Sequence, residues 1–183
     1  MGEAVRAGTA HLAEVGLVRF SSRAVAREIG YSTSGMLVWF GSTDLMLFRI
    51  GEGALARLRE RMRIEADRCD DPVLSLVSAY FGFARDEPEV WKALYVHRMA
   101  DGSPAPDFYA DALGDLFGDV VDRLADVMEN RSRPAIARIA NSLMWMLRGH
   151  CEAEIAGIYD LVRGGGEAER DAVNLARRMV EGG

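Results

Sequence analysis

Apolar residues recur along this chain at steps of three and four, the spacing of helices with one buried face. Residues 3–15 carry Val5, Leu12 and Val15 on one side, and Gly16 closes the segment. The longest predicted helix runs from about Thr43 to Arg68, with a seam of Leu45, Phe48, Leu55, Leu58 and Met62. Its other side alternates Arg57, Arg59, Arg61 and Arg63 with Glu60 and Glu65, most simply a solvated face. Further helices are expected over Val73–Asp86, Pro88–Ala100, Asp107–Asn130, Pro134–Val162 and Glu167–Glu181. Asp70-Asp71-Pro72, Glu87-Pro88, the 101–106 segment and Gly164-Gly165-Gly166 separate them. No stretch shows the two-residue alternation of a strand, so the chain is expected to be all-α.

Between the first helix and the long one, residues 20–40 pattern differently. Ser22 is placed to cap a short helix in which Val25, Ala26 and Ile29 share a buried face. Gly30 suits the left-handed turn, and Ser32 caps a second helix, Thr33 to Trp39, with Met36, Leu37 and Phe40 turned inward. Helix, glycine turn, helix is the helix-turn-helix arrangement, whose second helix enters the DNA major groove. An ordinary helical hairpin is the alternative.

Composition narrows the choices. The chain has 183 residues, 49% hydrophobic and 27% charged, which fits a globular protein. No apolar run reaches the roughly 18 residues of a membrane span. Its first residues lack the basic-then-apolar order of a secretory signal, and Cys69 and Cys151 have no metal-type spacing, so a reduced cytoplasmic setting is expected. The net charge of −6 is uneven. Five arginines face four carboxylates in the first fifty residues, and the acidity lies in the remainder. His150, Cys151, Glu152 and Glu154 are too adjacent on a helix to converge on a metal. No cofactor motif or catalytic constellation stands out, so neither metal, cofactor nor enzyme activity is expected.

Gly16, Phe20, Ser21, Arg23, Val25, Ala26, Gly30, Ser32, Met36, Leu37, Phe40, Gly41, Ser42, Asp44 and Leu45 together resemble the DNA-binding domain of the TetR family of bacterial repressors. The rest of the chain resembles that family in length and helical pattern. The resemblance implies a three-helix helix-turn-helix domain over residues 1–45 and a helical ligand-binding and dimerisation domain over residues 46–183. It implies that Thr33, Ser34 and Gly35 meet base edges of a double-stranded operator, and that Ser22, Ser32 and Trp39 meet phosphates, with Arg19 and Arg23 beside them. Leu37 and Thr43 stand where the family commonly has tyrosine and lysine. The DNA-facing set is then Ser22, Arg23, Ser32, Thr33, Ser34, Gly35, Trp39 and Thr43. The family takes up inducers in its helical body, which here implies a small, mostly apolar ligand among Trp91, Tyr95, Met99, Tyr109 and Trp145, with His97 or His150 as polar handles. Any of these aromatics is also an ordinary core residue. The penultimate helix is apolar on more than one side, through Ile136, Ala140, Leu143 and Leu147 and then Met144, Trp145, Ile155 and Ile158. Pairing of the last two helices in a homodimer, as in the family, would cover the second side, as would burial inside a monomer. The function implied is a ligand-responsive repressor, and the alternative is a ligand-binding or interaction module of this type that has lost operator binding.

Overall fold

The computed structural model describes residues 2–163 and 167–182. The expected stop at Gly164–Gly166 lies outside them. Among the described residues there are ten α-helices and no strand. In order they are α1 (Gly2–Val15), α2 (Ser22–Glu28), α3 (Thr33–Phe40), α4 (Thr43–Arg68), α5 (Pro72–Asp86), α6 (Pro88–Val96), α7 (Asp107–Ala125), α8 (Arg133–Ile155), α9 (Ile158–Arg163) and α10 (Ala168–Gly182). A 3₁₀ turn, Leu17–Arg19, joins α1 to α2.

The chain divides into two compact units. The first comprises residues 1–57 and 87–113, the second residues 58–86 and 114–183. In the first unit, α1 packs on α2 and α6, and α2 packs on α3. Ala4, Leu12, Val25, Ala26, Met36, Met46 and Ile50 are each at most 1% exposed there. Gly8 allows the close approach: a Cβ on it would lie 2.7 Å from Met46 Cε and 2.8 Å from Ile50 Cδ1. In the second unit, α5, α8 and α10 pack on one another. Ile136, Ala140, Leu143 and Leu147 form the buried stripe of α8, as their spacing predicts.

Caps explain where several helices begin. Ser32 Oγ accepts from the Gly35 N–H at 3.0 Å, and Ser42 Oγ from the Leu45 N–H at 3.0 Å. Asp71 Oδ1 accepts from Val73 and Leu74 N–H at 2.9 and 3.0 Å, which starts α5. These bonds satisfy donors with no partner inside the helix.

Three expectations of extent are corrected. α6 ends at Val96 rather than Ala100, because His97 turns extended and the Ala100 N–H is taken by Asp44 Oδ2 at 3.0 Å. α7 ends at Ala125 rather than near Asn130. The helix expected from Pro134 to Val162 breaks after Ile155, where Gly157 takes a φ of 68° and α9 restarts at Ile158. The charged side of α4 is also more than a solvated face. Within the second unit, Arg59 binds Asp119 at 2.6 Å and Asp115 at 3.0 Å, and Arg61 binds Asp86 at 2.6 Å. Within the first, Arg57 holds Glu87 by two hydrogen bonds.

Candidate nucleic-acid interface

The first unit contains a helix-turn-helix made by α2 and α3. The cap of α2 is Ser21, not Ser22: its Oγ accepts from the Ala24 N–H at 3.4 Å, and its backbone is extended, as a cap requires. Ser22 is already helical, which frees its hydroxyl to meet Thr43 Oγ1 at 2.8 Å. The first residues of α2 and α4 are therefore tied by a hydroxyl pair. At the other end of α2, the Gly30 N–H donates to Arg27 O at 3.3 Å and the Tyr31 N–H to Ala26 O at 2.8 Å. Gly30 has a φ of 74°, the left-handed conformation such a closure needs.

In α3 the buried pair is Met36 and Phe40, four residues apart on one face. Leu37, expected inward, is instead 44% exposed, since it falls about 100° around the helix from Met36. Val38 is 83% exposed. Ser34 and Leu37 are also on the outside, and Ser34 Oγ lies 3.1 Å from Ser32 Oγ. The Trp39 ring tilts against Tyr31, with centroids 4.8 Å apart. The structure thus brings Ser32, Thr33, Ser34, Gly35 and Trp39 together on α3 and its cap, and Ser22, Arg23 and Thr43 at the starts of α2 and α4.

Charge bears on this region. Arg6, Arg19, Arg23 and Arg27 are exposed, and none forms an ion pair with a carboxylate among the described residues. In the second unit Arg59, Arg61, Arg63, Arg85 and Arg177 each hold a carboxylate, while exposed Arg138 and Arg178 pair with none among the described residues. Hydrogen bonding to Glu154, with Glu169 alongside, raises the Arg85 guanidinium above its ordinary value. Those five arginines are committed to carboxylates of the chain itself. The ones around α2 are available to an external anion, a signal that net charge conceals.

The residues expected to meet ligand are distributed over both units. Trp91, Tyr95, Met99 and Tyr109 belong to the first, and Trp145 belongs to the second. Trp91 is buried and meets Tyr95 edge-on at 5.2 Å. Tyr109 donates to Leu94 O at 3.0 Å, and its phenol is pushed up to about 12 by burial. Beside it is a cavity of about 10 Å³, lined by Phe48, Gly51, His97 and Tyr109 among others. That is about the space of one water. Burial lowers the His97 pKa against the opposing pull of Asp44, whose Oδ1 is 3.4 Å from Nε2. Trp145 is 58% exposed, and its indole N–H donates to Asn141 Oδ1 at 3.1 Å. His150 lines an open groove with Tyr159, Asp171 and Arg178. Cys151 is buried, its thiol pushed up by desolvation, and Glu154 is taken by Arg85.

No family model matches the chain. Helix-turn-helix-type transcriptional regulators of Mycobacterium bovis and Mycobacterium tuberculosis are 31% identical to it over 111 residues, 58% of this chain and 45% of theirs. The matched region thus spans less than half the length of these curated relatives. A protein of unknown function from Rhodococcus sp. RHA1 superposes with a TM-score of 0.80 at 17% identity, over 99% of this chain and 93% of that one. A TetR family transcriptional regulator, PfmR from Thermus thermophilus, superposes with a TM-score of 0.58 at 16% identity, over 98% and 95%. The fold is the TetR type: a helix-turn-helix followed by a helical body.

Proposed function

We propose that this chain, a regulator of TetR-type fold related to helix-turn-helix transcriptional regulators, is a cytoplasmic DNA-binding repressor. The observation that carries the reading is the surface around α2 and α3. Arg23 and Arg27, exposed and without carboxylate partners among the described residues, lie on α2, which packs on a capped α3 whose outer face is exposed. Thr33, Ser34 and Gly35 would meet base edges. Ser22, Arg23, Ser32, Trp39 and Thr43 would meet phosphates, which hydroxyls, an indole N–H, a guanidinium and helix N-termini can all bind. The test is a gel shift on the DNA flanking the chain's own gene, with a salt titration. Absence of binding at low salt would refute it and favour the second reading, a module without operator binding. That reading draws its support from Leu37 and Val38, which put apolar surface where charged or phenolic side chains would grip better.

Action as a homodimer through the last two expected helices, here α8 with α9 and α10, is supported by the apolar side chains that the second unit leaves outside. Trp145, Ile158, Leu161 and Val162 are 53–86% exposed, and Leu175 is 39% exposed. Of these, Ile158, Val162 and Leu175 line one open groove, and exposed apolar surface of that kind is the usual mark of an interaction surface. Two heads would then occupy successive major grooves. The regulatory ligand is proposed to be small and mostly apolar, held within the first unit among Trp91, Tyr95, Met99 and Tyr109. The small cavity beside Tyr109 would have to open to admit it. Ligand would favour one head spacing over another through α4, and that difference in affinity would release DNA. A screen of hydrophobic compounds by thermal shift tests the ligand, and sedimentation tests the dimer.

A further inference from the structure

We propose that α3 reads thymine C5-methyl groups, with Val38 as the residue that selects for them. The inference rests on the reading of α2 and α3 as a DNA-binding head. Residues 33–40 of α3 are Thr-Ser-Gly-Met-Leu-Val-Trp-Phe, without a single side-chain amide, guanidinium, ammonium, imidazole or carboxylate. The bidentate pairs that identify guanine or adenine need arginine, lysine, asparagine or glutamine. This helix can make none of them. Gly35 supplies no side chain, and Ser32 Oγ is engaged with the Gly35 N–H and with Ser34 Oγ.

What α3 does present is apolar. Val38 lies one turn beyond Ser34, at i+4 on the same face, and is 83% exposed. Leu37, at i+3, is 44% exposed beside it. The buried pair of Met36 and Phe40 turns its face inward, so Val38, on the opposite side, points away from the protein, with Leu37 at the edge between them. Exposed Arg23 and Arg27 on α2 supply the charge that draws a polyanion to this surface. The apolar feature that a major groove offers such side chains is the thymine methyl, and no other standard base carries one. Hydroxyls of Thr33 and Ser34 accept or donate to either base pair, so they add little choice. Specificity at the centre of each half-site is thus predicted to fall on thymine.

The experiment uses the full chain. Bound sequences are selected from randomised duplexes, and each thymine of the half-site is then replaced by deoxyuridine, which removes only the methyl group. One or two replacements per half-site should weaken binding about fourfold each, the effect of uncovering one methyl. Val38→Ala should reduce, and Val38→Asp abolish, the thymine-over-uracil preference at one of those positions, and Val38→Ala should still bind duplex. Val38→Thr, which keeps the size and one methyl, should retain much of that preference. A selected site with no uracil-sensitive position, or an unchanged preference in Val38→Ala, would overturn the proposal and leave DNA binding standing. Failure to select any duplex at low salt would overturn both.

Discussion

Arg23 offers the sharpest test of the head. It sits in the first turn of α2 next to the Ser22–Thr43 pair, is exposed, and has no carboxylate partner among the described residues. Replacement by alanine therefore breaks no internal ion pair described there and should leave the thermal midpoint nearly unchanged. Each phosphate neutralised adds about −0.9 to the slope of log affinity against log salt. With two heads on an operator, Arg23→Ala removes two such contacts and should flatten the slope by about 1.8. Between about 50 and 200 mM salt, the variant should then lose roughly twelvefold less affinity than the parent. Fluorescence anisotropy on a labelled duplex across that range measures both slopes. Arg59→Ala is the control. Its guanidinium is already held by Asp115 and Asp119, so its removal should leave the slope alone. Equal slopes for parent and Arg23→Ala would refute the argument that unpaired arginines mark the phosphate-facing surface.

Gly30→Ala should lower stability by about 1–2 kcal/mol, the strain of a left-handed backbone, because an added Cβ meets nothing within 4 Å; thermal unfolding reads it. Leu147→Ala empties a fully buried site in α8 and should cost about 2–5 kcal/mol by urea denaturation. His97 has its pKa lowered by burial, so the unfolded chain binds the proton more readily. Its contribution to stability is full above the ordinary histidine value of about 6.5 and is lost as pH falls toward the folded value. Urea midpoints at falling pH should therefore decline less steeply in His97→Phe than in the parent between about pH 7 and 5.

Where local chemistry decides, the fold is legible from the residues alone. Ser32, Ser42 and Asp71 cap helices because their side chains reach donors two or three residues away. Gly30 turns because little else tolerates that backbone. Leu37 resists placement because α3 is eight residues long and apolar on several sides, so it has no clear period. Ser21 and Ser22 compete for the cap because they are chemically identical, and only the backbone angles separate them. Other features depend on distant residues. α6 stops where Asp44, over fifty positions earlier, captures the Ala100 N–H. The arginines of α4 find Asp86, Glu87, Asp115 and Asp119 through packing that no local window contains. The break at Gly157 has only a lone glycine as its signal, and a helix interior tolerates that residue at modest cost. The distribution of free and committed arginines cannot be read without knowing their partners.

The hydroxyl pair of Ser22 and Thr43 makes two positions behave as one. In a bond between two hydroxyls, one oxygen accepts and its own hydrogen remains unused. That remaining hydrogen is polarised by the bond it backs onto, which makes it a better donor to an arriving oxyanion. Either Ser22→Ala or Thr43→Val would dismantle the relay, and the second loss would add little to the first. Thermodynamic coupling between positions 22 and 43 is therefore expected to appear in anion affinity as well as in stability. A changed residue at either place would call for a matching change at the other.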